Sequence, residues 1–74
     1  MENKKYGLIK WFDHLKGIGE VYCPETTSIY FLNYSRAINE SSDSFKWHKG
    51  YEIYFESNKL GEVTRLWSKN NETY

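Results

Sequence analysis

The chain has a single cysteine, no net charge and no long apolar run. With Cys23 alone, no internal disulfide can form, and a reducing cytoplasm is the expected setting. Ten basic residues balance ten acidic ones. Neutrality counts against strong nonspecific binding of nucleic acid, which is driven by counterion release at excess positive charge. No apolar segment approaches the length of a membrane span and no signal-like segment opens the chain, so no membrane contact is expected. Metal chemistry lacks support too: His14, His48 and Cys23 have no ligand spacing and no evident fourth ligand. Gly17-Ile18-Gly19 lacks the third glycine and the following helix of a dinucleotide site. No nucleophile has a base and an orienting partner in a suitable pattern, so neither catalysis nor a cofactor is expected.

What the chain does have is rings, at 19% of its 74 residues. A domain this small buries a thin core, so large aromatics must supply much of its apolar area. There are more of them than such a core can hide. Charge is also unevenly placed. Lys4, Lys5, Lys10 and Lys16 outnumber Glu2 and Asp13 up to the first Gly-x-Gly, whereas Glu52, Glu56 and Glu62 turn the later part negative.

Period-two alternation predicts strands over Tyr6 to Phe12, Lys16 to Cys23, Ile29 to Tyr34, Gly50 to Glu56 and Glu62 to Trp67. Pro24 ends the second run because it cannot donate to a ladder. Ser35 to Lys49 reads as a long loop with a short helical turn at Ser35 to Ile38. In the fourth strand Tyr51, Ile53 and Phe55 face one way and Glu52, Tyr54 and Glu56 the other. A single domain over 1–74 is expected, with an ordered core from about 6 to 67 and a polar tail over 68–74. Five short strands without a long helix predict an all-β fold, a five-stranded antiparallel OB-type Greek-key barrel, because closure removes the edges of so small a sheet. An SH3-like barrel is the structural rival.

Gly7-Leu8-Ile9-Lys10-Trp11-Phe12-Asp13, then Lys16-Gly17-Ile18-Gly19-Glu20-Val21, resembles the first motif of cold-shock domains, G-x-V-K-W-F-N followed by K-G-F-G-F-I. Ile29 to Ser35 is similar to their second motif, V-F-V-H-F-S, and Phe45-Lys46 with Gly50 to Glu56 to their G-F-K segment and following strand. The resemblance covers Tyr6 to Leu66. It implies a barrel whose aromatic face stacks on single-stranded RNA or DNA, with a role as RNA chaperone or regulator of transcripts. Stacking is worth about 1–3 kcal/mol per base and makes little sequence demand, because every base has a π-face.

Carried over position by position, the resemblance assigns binding roles to Lys10, Trp11, Phe12, Lys16, Tyr30, Phe45 and Lys46, with Tyr34 and Ile18, which stands at a family ring position, as further candidate binders. Strict alternation sets Lys10 and Phe12 against Ile9 and Trp11, so Trp11 reaches the binding face only if the strand bulges. In the third strand the favoured register turns Ile29 and Phe31 inward and Tyr30 and Leu32 outward. The alternative moves an insertion into the preceding loop, making Asn33 the equivalent of the family's histidine and Tyr34 the ring after it. A slip of one residue exchanges the faces. Trp47, among Phe45, Lys46, His48 and Lys49, either stacks on a base or plugs the core beneath the loop.

The departures are specific. Ile18 and Glu20 stand where the family carries two rings, a loss of about 2–6 kcal/mol of gross stacking. Glu20 also repels phosphate, although a carboxylate can accept from a cytosine amino group. The expected partner is therefore single-stranded RNA or DNA bound weakly, by a monomer or weak dimer. The alternative is a protein-binding patch of Ile18, Glu20, Tyr22 and exposed rings on the same barrel.

Overall fold

The structure, a computed structural model, describes residues 4–40 and 46–69. It is all-β, with β1 over Lys5–Asp13, β2 over Ile18–Cys23, β3 over Ser28–Asn33, β4 over Ile38–Asn39, β5 over Glu52–Ser57 and β6 over Val63–Ser68. The strands form one sheet in the order β3-β2-β1-β5-β6-β4, antiparallel except for the short β4–β6 pair. The sheet curls until β3 meets the segment before β6. There the Phe31 N–H donates to the Gly61 carbonyl at 2.8 Å, and Phe31 bridges Glu62 in parallel. A β1-β2-β3 meander with β5 returning beside β1 is the Greek-key path of an OB-type barrel. The five expected strands are thus present.

Most strand ends shift by a residue from expectation, and two shift further: β2 begins at Ile18, with Lys16 and Gly17 in the turn before it, and β5 begins at Glu52, with Gly50 in a turn. The expected helical turn is a single one, in which the N–H groups of Arg36 and Ala37 both donate to the Asn33 carbonyl. Ile38 and Asn39 then pair with Arg65 and Leu66 as a sixth, short strand. Ser68, assigned by sequence to the polar tail, lies in β6, is 1% exposed and shares a 2.9 Å hydrogen bond with the Tyr51 hydroxyl. Its hydroxyl has a partner, so a polar residue can end a buried strand. Lys69 of the expected tail is also described and pairs with Glu52 at 3.7 Å, whereas 70–74 lie outside the described residues.

Alternation builds the core. Ile9, Val21, Cys23, Leu32, Ile53, Phe55, Val63 and Leu66 point inward from the strands and Trp47 enters from the loop, all nearly inaccessible to solvent. Tyr51, Phe12, Tyr30 and Ala37 pack against this cluster. The first hairpin is pinned by Asp13. Its Oδ1 accepts from the Leu15 and Lys16 amides at 3.0 and 3.2 Å, and its carbonyl accepts from Gly17 at 2.7 Å. Gly17 closes the turn at φ 71°, a conformation that suits glycine.

On the wall formed by β1, β5 and β6, Tyr6, Tyr54 and Trp67 stand in one cross-strand row, with the Lys4 ammonium over the rings of Tyr54 and Trp67. The Tyr6 hydroxyl donates to Glu52 Oε2 at 2.6 Å. This bond to a carboxylate, helped by partial burial and the Glu52 charge, pushes the Tyr6 phenol up to about 12. Below the ordinary tyrosine value the phenol is neutral in both folded and unfolded chains. Between that value and 12 the unfolded chain gives up a proton that the folded one keeps, so stability falls as pH rises. Tyr6→Phe should therefore lose less stability than the parent across this alkaline window, as read from urea midpoints. Parallel pH profiles for the two chains would show that the bond does not hold the phenolic proton.

Candidate nucleic-acid interface

The outer face of β1, β2 and β3 is organised by one irregularity. Ile9 pairs with Val21, but Trp11 pairs with Glu20, so Lys10 is an extra residue in β1. This β-bulge resets the alternation. Ile9 stays buried, Lys10 and Trp11 are both exposed, and Phe12 turns back toward the core. The condition under which Trp11 reaches the surface is met, with 40% of the residue accessible.

The bulge also explains the second glycine of Lys-Gly-x-Gly. A Cβ on Gly19 would run into the Trp11 carbonyl oxygen and lie 2.8 Å from Phe12 Cδ1. Its place opposite Phe12 has no room for a side chain.

Cross-strand pairing then sets the rows of the face. Trp11, Glu20 and Phe31 form one row across the three strands, and Asp13, Ile18 and Asn33 the next. Leu8, Tyr22 and Ile29 form a third. In the first row the Trp11 indole N–H donates to Glu20 Oε1 at 2.9 Å. The carboxylate where the resemblance calls for a ring therefore holds the neighbouring ring in position. Lys10 and Lys16 are exposed beside these rows, and among the described residues neither carries an ion pair.

The third strand corrects the favoured register. Cys23 pairs with Ser28 across the turn Pro24 to Thr27, which Thr27 closes at φ 53°. Paired residues share a face, so an inward Cys23 sends Ile29 out, Tyr30 in, Phe31 out and Leu32 in. Ile29 and Phe31 are 44% and 39% exposed, and Leu32 is fully buried. Tyr30 packs edge-on against Phe55, with ring centres 5.1 Å apart, and is no part of the outer platform. Phe31 takes that place. The signal for it was the alternative register, which also sets Asn33 beside Ile18.

Other expected positions divide. Tyr34 is half exposed and follows Asn33 at the end of the face. Phe12 is half-buried, edge-on to Trp47 and His14 at 5.0 and 4.9 Å, so it supports the platform from beneath. Trp47 is 1% exposed and is the core plug; no base can stack on it. Its ring also meets Tyr34 at 5.9 Å, and His14 Nε2 lies 3.1 Å from its carbonyl oxygen. Ile18 is half-buried on the outer face, and Lys46 is exposed in the long loop. Phe45 lies outside the described residues.

Two hollows flank the platform. One, of about 270 Å³, is lined by Phe12, His14, Gly17 and Tyr34. The other, of about 310 Å³, lies beyond Phe31 and includes Asn33, Arg36, Asn58 and Glu62 in its walls. Among the described residues no His, Cys, Asp or Glu cluster could hold a metal ion, and no helix is long and apolar enough to cross a membrane.

Burial separates the tryptophans by consequence. Trp47→Ala should cost about 3–5 kcal/mol, and Gly19→Ala about 1–3 kcal/mol through the forced displacement of the bulge. Trp11→Ala should cost far less than either. Urea unfolding of the three variants checks this, and equal losses at Trp11 and Trp47 would contradict the assignment of inner and outer rings. No family model matches the chain, and no curated protein matches it.

Proposed function

We propose that this protein binds single-stranded RNA or DNA, weakly and with its outer β1–β3 face, as a cold-shock-like RNA chaperone or regulator of transcripts. One observation carries the reading: the bulge at Lys10 presents Trp11 on the same face as Phe31, with Tyr34 at its end and Lys10 and Lys16 at its side. Rings spaced across a sheet stack on successive unpaired bases, and lysines beside them meet phosphates. A duplex hides those base faces, so open strands are favoured. The resemblance of both sequence motifs to cold-shock domains supports the same reading. A cytoplasmic setting agrees with a lone, buried thiol.

Weakness follows from composition. Phe31 replaces Tyr30 in the platform, but Ile18 and Glu20 still leave two ring positions empty. The Glu20 charge adds a repulsion toward phosphate that salt screens. That same carboxylate, fixed to Trp11, favours a second reading in which the face docks another protein.

Titration of a short mixed-sequence single-stranded DNA, followed by tryptophan fluorescence and NMR, tests the proposal. Quenching and shifts at β1–β3 are expected. Trp11→Ala and Phe31→Ala should each weaken binding by about 1–3 kcal/mol, and Glu20→Phe should strengthen it. With two lysines at the face, the logarithm of affinity should fall against the logarithm of salt with a slope of about −1 to −2. Absence of any response at high protein concentration in low salt would defeat the reading and leave the protein-docking one.

A further inference from the structure

The centre of the face holds a carboxylate whose acceptors are partly spoken for. Glu20 sits between Trp11 and Phe31 in one cross-strand row, and Oε1 takes the Trp11 N–H at 2.9 Å. An ionised carboxylate has about four lone-pair sites on two oxygens. One bond from the indole therefore leaves Oε2, and a second site on Oε1, able to accept from a ligand on this face. Among the described residues no salt bridge neutralises Glu20. A base stacked on Trp11 or Phe31 would lie next to this group, because the three residues share one cross-strand row.

Resting on the single-strand reading above, we infer that the face selects bases by their donors and prefers guanine. The Watson–Crick edge of guanine carries two adjacent donors, N1–H and the N2 amino group, which match the two oxygens of one carboxylate. Cytosine and adenine offer one amino donor next to a ring-nitrogen acceptor. Thymine and uracil offer one N–H between two carbonyls, and both carbonyls oppose a negative charge. Preference therefore runs guanine first, cytosine and adenine next, thymine and uracil last. Stacked rings on either side exclude water from the contact and strengthen it. A charge-assisted pair is also stronger than a neutral one. Glu20 thus trades general stacking for discrimination at one base.

The Trp11 bond gives the inference a directional signature. In Glu20→Gln the amide oxygen must face the indole N–H, because the amide nitrogen cannot accept from it. That turns the NH₂ group toward the base. Two donors then meet the donors of guanine, whereas a thymine carbonyl becomes the better partner.

The test uses tryptophan fluorescence with short thymidine oligonucleotides, either unmodified or carrying one central guanosine, inosine or 7-deazaguanosine. The intact chain should bind the guanosine oligonucleotide about tenfold more tightly than the all-thymidine one, as expected of a bidentate contact. 7-Deazaguanosine, which keeps both donors, should bind as guanosine does. Inosine, which lacks the N2 amino group, should lose most of the gain. Glu20→Gln should invert the order, with thymidine bound more tightly than guanosine. If all the oligonucleotides quench equally, or Glu20→Gln leaves the order unchanged, the guanine preference is overturned and the single-strand reading stands. If none quenches, both fall.

Discussion

The extra residue at Lys10 is the constraint from which the character of the outer face follows. In an unbroken strand, Ile9 and Trp11 would share one face and Lys10 and Phe12 the other. Ile9 is committed to the core by its pairing with Val21, so Trp11 would go inward with it. The bulge breaks that link. It lets Ile9 and Phe12 both serve the interior while Lys10 and Trp11 both reach solvent. The cost is local: the Trp11 carbonyl is driven against β2, where only Gly19 leaves it space. Bulge and glycine are two halves of one device.

The interior shows how a small barrel manages with few large residues. Trp47 comes from the loop, not from a strand, and fills the end of the barrel beneath Phe12 and Tyr34. One ring there buries the area of several aliphatic side chains. It is held from outside by His14 on the first hairpin, so the turn that carries Lys16 and the loop that carries Lys46 are tied to one another. The outer rings thus rest on a packed support, which keeps them oriented.

Much of this was legible in the sequence, and the limits have physical causes. Strand positions follow from period two, and the two faces of β5 are readable because Tyr51, Ile53 and Phe55 alternate with Glu52, Tyr54 and Glu56. The bulge was readable as a condition on Trp11, not as a fact, since Lys10 is at home on either side of an irregular strand. The face of β3 was open because Ile29, Tyr30, Phe31 and Leu32 are all acceptable inside. Periodicity is silent in an apolar run, and the register was decided by the length of the turn from Pro24 to Thr27. Ser68 was misplaced because its partner, Tyr51, is far away in sequence. Trp47 was left between two roles, since a ring among lysines in a loop looks alike whether it plugs or presents.

Glu20 shows why a departure from a motif that the chain only resembles need not be a simple loss. Judged by stacking alone, a carboxylate at the platform centre removes a ring and repels the phosphate backbone. Judged by the hydrogen bond it makes, it fixes Trp11, the most exposed of the described tryptophans, and so limits the rotamers of that ring. The chain carries no surplus positive charge with which to hold nucleic acid indiscriminately. If the face binds single strands as proposed, it has to distinguish them by close contact, because affinity drawn from counterion release is the same for every sequence. Under the proposed function, weak overall binding and a charged centre are therefore compatible features of one surface, whose selectivity would rest on the edges of bases and not on the backbone that joins them.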